Sequence, residues 1–254
     1  MTEDADAKTP RPDGRQVRWD AHKASRREVI IEAALAASEQ AGAGVVVPLQ
    51  DIAERAGVVR TVVYRHFNDR AELDHAMQQR ALEMLRDAVT DSLVLEGSIS
   101  EIIERVVTSY VQWAAEHPEL HRIATEERVG GMRDLERTIA DIADRLEALL
   151  NLAIALLSVD LTAEDNQAMD PLVFGLVGQA FGTVRRWLRQ PERQPDARTL
   201  AKFIARSVWF QIDGHARDRG ITLDPEVDVA ELFNLTEMFD ALIESDASGD
   251  GKDL

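Results

Sequence analysis

The sequence contains no cysteine among its 254 residues. This absence excludes disulfide bonds, thiol catalysis and zinc sites with cysteine ligands. No apolar run reaches the length of about eighteen residues that a membrane-spanning helix needs. The N-terminal residues TEDADAKTPRPDG are too polar for a secretory signal peptide. We therefore predict a soluble, cytoplasmic protein.

Patterns typical of enzymes and cofactor sites are also absent. The sequence has no nucleophile elbow, no glycine-rich phosphate loop and no carboxylate cluster with metal-ligand spacing. His117 and His121 are four residues apart, but Pro118 interrupts the helix between them and no carboxylate completes an HExxH pattern. We therefore predict no catalytic activity, no cofactor and no metal site.

Positive charge is scarce, because the formal net charge is -17. A chain this acidic is a poor candidate for binding nucleic acid through its overall field. The acidic excess is unevenly distributed, however. Residues 15–72 hold nine Lys or Arg against eight Asp or Glu, so this region is near +1 and the remainder near -18. A nucleic-acid surface is therefore possible within residues 15–72.

Residues 49–67 read LQDIAERAGVVRTVVYRHF, which predicts two short helices joined by a tight turn. The first helix carries an apolar stripe at i, i+3, i+4 and i+7, formed by Leu49, Ile52, Ala53 and Ala56. Gly57 is expected to end it, since glycine readily adopts the left-handed conformation of a helix C-terminus. Val59, Val63 and Phe67 then give the second helix a buried face.

The other face of the second helix is polar and carries Arg60, Thr61, Tyr64 and Arg65. Such a face suits the major groove of DNA, where Arg can read guanine and Thr or Tyr can reach a phosphate or a thymine methyl. The alternative is a solvated face on an ordinary helical hairpin. The flanks favour DNA binding, because a helix over residues 27–41 precedes this pair and a capping signal at residues 68–72 opens a fourth helix.

The stretch AGVVRTVVYRHFNDRAEL resembles the DNA-binding signature of the tetracycline-repressor (TetR) family, through Ala56, Gly57, Tyr64, His66 and Phe67 among others. Val59 and Val62 depart from the signature, since relatives often carry a capping or phosphate-binding hydroxyl there. Carried over by position, the resemblance implies DNA contacts from Gln50, Arg60, Thr61, Tyr64, Arg65, His66 and Arg70.

A basic segment opens the first helix, with Lys23, Arg26 and Arg27. It is expected to run along the DNA backbone or reach into the minor groove, although a solvated tail is the alternative. We predict an all-α chain with four parts. These are a disordered or basic arm (1–22), a helix-turn-helix domain (23–72), a helical ligand-binding and dimerisation domain (73–244) and a disordered tail (245–254).

Two later helices, over residues 171–188 and 196–219, carry wide apolar faces with small residues between them. In the TetR family such a pair forms a four-helix bundle with its copy, which implies a homodimer. Burial of both faces within a monomer is the alternative. The candidate dimer residues are Phe174, Gly178, Trp187, Phe203, Ser207 and Val208.

The resemblance also implies a ligand cavity among the fifth to eighth helices. Most of its candidates are equally suited to the core. They are Tyr110, Trp113, His117, Met132, Leu146, Leu172, Leu176 and Phe181.

The resemblance thus implies a homodimeric repressor that binds a palindromic double-stranded DNA operator and is released by a small lipophilic effector. The main alternative is a helical interaction module that has lost DNA binding.

Overall fold

The computed structural model describes residues 14–126, 132–156 and 159–230. Within these ranges the chain forms nine helices and no strand, which confirms the all-α fold. The helices are α1 (Gly14–Ala41), α2 (Leu49–Arg55), α3 (Arg60–His66), α4 (Arg70–Thr90), α5 (Ile99–Glu116), α6 (Pro118–Ala124), α7 (Met132–Leu156), α8 (Ala163–Leu188) and α9 (Ala197–Arg217). None of the helices described is long and apolar enough to cross a membrane.

The chain divides into two compact units, with the boundary between Met77 and Gln78. In the first unit α2 packs against both α1 and α3. Its core contains Ile30, Ile52, Val63, Phe67 and Leu73, which are all nearly inaccessible to solvent. The boundary falls five residues beyond the predicted end of the DNA-binding domain, because the first two turns of α4 belong to this unit.

The turn between α2 and α3 has the geometry that the sequence predicts. Gly57 adopts a φ of 65°. The Val58 amide donates to the Ala53 carbonyl over 2.9 Å, and the Gly57 amide donates to the Glu54 carbonyl over 3.1 Å. This pair of bonds is a Schellman motif, which satisfies carbonyls at the end of α2. A residue with a Cβ would be strained at Gly57.

The N-terminal arm differs from the prediction. Residues 14–22, assigned to a disordered or basic arm, form the first turns of α1. From residue 15 to residue 41 the sequence has neither Gly nor Pro, so nothing interrupts the helix. Residues 1–13 and the predicted tail 245–254 lie outside the described residues, as do residues 231–244 of the predicted helical domain.

The start of α8 also differs from the prediction. The Asp170-Pro171 pair suggested a helix beginning at Pro171, yet α8 begins at Ala163 and contains this proline. Proline inside a helix costs a hydrogen bond. A capping box offsets part of that cost, because the Thr162 side chain accepts from the Asp165 amide while the Asp165 carboxylate accepts from the Thr162 amide.

In the second unit α5 packs mainly against α9, and α7 packs against α8. The Ser109 hydroxyl on α5 donates to the Ala88 carbonyl of α4 over 2.6 Å. Arg105 donates to the carbonyls of Val94 and Glu96, both over 2.7 Å. These bonds fix α5, which forms much of the wall of the cavity described below.

The capping box at the start of α5 gives a stability prediction. The Ser98 hydroxyl accepts from the Glu101 amide over 3.3 Å, and Glu101 accepts from the Ser98 amide over 2.8 Å. We expect Ser98→Ala to lower the free energy of unfolding by about 1 kcal/mol, measured by urea denaturation. Glu101→Gln keeps the side-chain acceptor, and its unfolding free energy should stay within about 0.5 kcal/mol of wild type. Equal losses in both variants would contradict the capping role.

Candidate functional site

The recognition helix α3 has one buried face and one exposed face. Val63 and the following Phe67 are 1% and 2% exposed, so they anchor the helix in the core. Arg60, Thr61 and Tyr64 lie on the exposed face. Hydrophobic burial on one side therefore presents a guanidinium, a hydroxyl and a phenol together on the other.

Arg60 and Tyr64 form a pair on this exposed face. The Arg60 guanidinium donates to the Tyr64 hydroxyl over 3.0 Å, and its Cζ lies 5.5 Å from the centre of the Tyr64 ring. The two side chains are one helical turn apart, so their contact restrains both. The contact therefore orders the Arg60 side chain before DNA binds. Its remaining donors can bond two acceptors on one guanine edge.

Val59 does not belong to the buried stripe that its spacing suggested. It is the residue before α3, in extended backbone, and it is 66% exposed. The i, i+4 pattern fails there because a residue outside the helix does not follow helical periodicity. No side chain caps the first turn of α3. An exposed valine at this place is suited to an apolar contact with a thymine methyl.

A basic cleft brings the N-terminal part of α1 close to α3. Lys23, Arg26, Arg65 and His66 line it together. The pKa of His66 is lowered, first by desolvation and then by the positive charges of Lys23, Arg26 and Arg27. His66 is therefore held toward its neutral form, while the cationic side chains around it make the cleft attractive to a phosphate.

Two of the predicted DNA-contacting arginines are held inside the first unit. The Arg70 guanidinium donates to Asp74 over 2.7 Å and to the Val47 carbonyl over 2.6 Å. Arg27 lies 4.6 Å from the centre of the Phe67 ring and 3.6 Å from a carboxylate oxygen of Glu72. These contacts help to fix α4 and α1, and the DNA contacts of Arg70 and Arg27 stay predictions.

Gln50, the remaining predicted DNA residue, is exposed on α2. Its side-chain amide donates to the Glu54 carboxylate over 2.8 Å. This contact leaves the amide carbonyl as an acceptor, which matches an exocyclic amine on a base edge.

The second unit contains a cavity of about 370 Å³. This lies in the usual range for small-molecule pockets. Its walls come from α4, α5, α7, α8 and α9 and are overwhelmingly apolar. The predicted ligand residues that line it are Tyr110, Leu146, Leu172, Leu176 and Phe181.

Two predicted ligand residues, Trp113 and His117, are not part of this wall. Trp113 and His117 instead form a cluster with His121, with ring centres 5.8 Å apart for Trp113 and His117 and 6.5 Å apart for Trp113 and His121. They lie near the end of α5, beyond the stretch that faces the cavity. The side chain of Met132 lies outside the described residues.

The sequence reasoning missed most of the α5 contribution to the cavity. Its lining residues recur at helical spacing, which is the signal that could have found them: Ile99, Ile102, Ile103, Val106, Val107 and Tyr110. This spacing is also that of a core face. Only the structure shows that part of the face borders empty space.

A buried polar pair lies beside the cavity. The Tyr110 hydroxyl and His121 Nε2 are 3.0 Å apart, and the Tyr110 ring stacks on Phe181 with a centre distance of 4.9 Å. Burial raises the pKa of Tyr110. Burial, together with the positive charge of Arg185, lowers the pKa of His121 to about 4. Both side chains are therefore neutral at neutral pH, so the cavity wall near Tyr110 carries no charge.

The exposed face of α8 and α9 is rich in aromatic side chains. Phe174 is 37% exposed, Phe203 is 62% exposed and Phe210 is 56% exposed. Gly178 and Ser207, two other predicted dimer residues, are partly exposed. Large exposed aromatic side chains on neighbouring helices are a mark of a protein interface.

Of the other predicted dimer residues, Trp187 is buried inside the protomer, and the partly exposed Val208 also contacts its interior. Trp187 is only 4% exposed, and its indole N–H donates to the Pro195 carbonyl over 2.8 Å. Val208 lines the cavity. Both belong to apolar stretches of α8 and α9, and those helices have an inner and an outer apolar face that the sequence pattern does not separate.

Comparison with known proteins agrees with this architecture. Residues 30–77 match the family described as bacterial regulatory proteins, tetR family. An uncharacterized HTH-type transcriptional regulator of Mycobacterium tuberculosis (strain CDC 1551 / Oshkosh) is 24% identical over 215 residues, 84% of this chain and 88% of that protein.

Solved structures share the fold at low identity. A tetR-family transcriptional regulator from Streptomyces coelicolor has a TM-score of 0.55 and 19% identity, covering 88% of this chain and 98% of that one. The regulator FadR from Bacillus subtilis, in complex with stearoyl-CoA, has a TM-score of 0.52 and 16% identity. The match covers 70% of this chain and 95% of that one.

The first unit is a helix-turn-helix domain, and it defines a DNA-binding transcriptional regulator. Residues 30–77 have the DNA-binding domain of the family described as bacterial regulatory proteins, tetR family. The second unit shares the fold of solved tetR-family regulators at low identity.

Proposed function

We propose that this protein is a repressor that binds a palindromic operator as a homodimer and leaves it when a small apolar effector occupies the cavity. The observation that carries the proposal is the exposed face of α3, where Arg60, Thr61 and Tyr64 stand on a helix anchored by Val63 and Phe67. A regulator of chromosomal DNA acts in the bacterial cytoplasm, which is the location that the proposal implies.

The homodimer is supported by the aromatic face of α8 and α9. Two recognition helices about 34 Å apart read successive major-groove turns, and a two-fold dimer provides that spacing for a palindrome. Phe174, Phe203 and Phe210 supply apolar area that water would otherwise cover. A second copy of the chain buries this face with the same face.

The effector is supported by the cavity in the second unit. Its almost wholly apolar wall favours a lipophilic molecule, and the structural neighbour FadR was solved with stearoyl-CoA. Val89 near the end of α4 lines the cavity, and α4 begins in the DNA-binding unit. An effector that binds better to one position of α4 thereby favours that position, and a coupling of about 1–3 kcal/mol is enough to change DNA affinity.

DNA binding can be tested with the duplex that flanks the coding sequence. Fluorescence anisotropy should show a sequence-specific complex whose affinity falls steeply with salt. We expect Arg60→Ala to weaken it about tenfold and to relax specificity at one base position, since a bidentate base contact is worth about 1–3 kcal/mol.

Arg55→Ala is the matched control. Arg55 is an exposed arginine of the same unit, on α2, where it donates to Gln40 over 2.6 Å. The Arg55→Ala protein should bind DNA with the affinity and specificity of the wild type. If no flanking sequence gives a salt-sensitive shift and Arg60→Ala changes nothing, the protein is a helical interaction module without DNA-binding activity.

A further inference from the structure

The charged side chains of the cavity lining meet at one end. Asp165 lies in the first turn of α8, and Arg219 follows α9 close to His215. Gln211 lies farther along the cavity, where it donates to Gln179 on α8 over 2.7 Å. The cavity lining elsewhere is almost entirely aliphatic. This cavity therefore has a charged end and a long apolar body.

The body is long. Asp165 and Phe181 both line it, and they are sixteen residues apart on α8, which is about 24 Å at 1.5 Å per residue. A cavity of this length with aliphatic walls is suited to an extended hydrocarbon chain.

At the charged end, Arg219 and Asp165 form a direct ion pair. Asp165 has two other partners, since its carboxylate accepts from the Thr162 amide over 3.0 Å and from the Thr162 hydroxyl over 2.8 Å. Arg219 also donates to the His215 carbonyl over 2.7 Å. Asp165 thus remains hydrogen-bonded if Arg219 changes partner, and Arg219 is the exchangeable member of the pair.

We propose that Arg219 binds the carboxylate of a single-chain aliphatic acid whose hydrocarbon tail fills the cavity. This inference rests on the apolar effector proposed above and specifies its class. A guanidinium has five donors in a planar fork and matches a carboxylate through two parallel hydrogen bonds. The entering carboxylate replaces Asp165 as the partner of Arg219. Asp165 then keeps its two hydrogen bonds to Thr162 but loses its cation, so repulsion between the two carboxylates opposes binding.

Decanoate and decanol test the inference, because both have the same ten-carbon chain and only one carries a charge at pH 8. Isothermal titration calorimetry with the full-length protein should show decanoate binding about tenfold more tightly than decanol, a difference of about 1.4 kcal/mol. Arg219→Gln should remove this preference while leaving decanol affinity unchanged. Asp165→Asn keeps an acceptor for Thr162 and should bind decanoate more tightly than wild type, because the competing carboxylate is gone.

Arg217→Gln is the control, since Arg217 pairs with Asp213 over 2.7 Å and is not among the cavity-lining residues. It should retain the wild-type preference. Equal affinity of the wild type for both probes, or a parallel loss of both in Arg219→Gln, would overturn the head-group inference and leave the apolar effector standing. Binding of neither probe would overturn both.

Discussion

Phe203→Arg should convert the proposed dimer to a monomer and weaken binding to the proposed operator by about 100-fold or more. Phe203 is 62% exposed on α9, which also carries the exposed Phe210, and Phe174 is exposed on α8. In a two-fold interface each substitution appears twice, so two guanidinium groups would have to be buried in an apolar contact. The protomer should still fold, because this position faces solvent within one chain.

The loss of DNA affinity follows from the geometry of a palindrome. A dimer that has bound one half-site holds its second recognition helix at high effective concentration near the other, and a monomer loses this advantage. Sedimentation velocity measures the mass, and anisotropy measures affinity for the full site and for a half-site. Full-site affinity should fall to the half-site value.

Val94→Arg is the matched control for the Phe203 variant. Val94 is 41% exposed in the second unit, between α4 and α5. The Val94→Arg substitution introduces the same charge outside the aromatic face, so this variant should keep the oligomeric state of the wild type. If Phe203→Arg still sediments as a dimer, the face of α8 and α9 is not the interface.

The DNA-binding half of the molecule could be predicted from sequence because its determinants are local. Gly57 requires a left-handed turn, and the Asp69 side chain accepts from the Glu72 amide over 2.8 Å, as the capping signal indicated. Val59 was misassigned because it stands one residue before α3, where helical spacing no longer applies.

The arginines of the first unit could not be sorted by sequence. Arg60 and Arg70 are equally suited to DNA by residue type, yet Arg70 is bonded to the Val47 carbonyl, 23 residues away in the chain. Such a long-range partner depends on how α4 meets the loop before α2. The residue type shows that either arginine can bind DNA. The tertiary packing determines which arginine is bonded to other residues of the protein.

The second unit was harder to predict for the same reason. An apolar stripe on α5, α8 or α9 identifies a face that avoids water, but a core, a cavity and a subunit interface all meet that requirement. Val208 lines the cavity and Phe203, on the same helix, is exposed. A shift of five residues along α9 separates the two environments, and no local signal marks the change.

Acid should destabilise the second unit through His121. Its pKa is lowered to about 4 by burial and by Arg185, against 6.5 for an ordinary histidine. The unfolded chain therefore takes up a proton at higher pH than the folded chain does. Stability should fall as the pH drops from 6.5 to 4, and the His121 contribution to this loss approaches about 3 kcal/mol at the acid end.

The His121 contribution can be separated from that of the carboxylates by substitution. His121→Gln does not titrate and can still hydrogen-bond the Tyr110 hydroxyl, so its unfolding free energy should depend less steeply on pH in this window. Urea unfolding followed by tryptophan fluorescence suits the measurement, since Trp113, Trp187 and Trp209 all lie in the second unit. His75→Gln, at an exposed position on α4, is the control and should keep the wild-type slope. Identical slopes for His121→Gln and wild type would mean that the buried ring is protonated as readily in the folded chain as in the unfolded one.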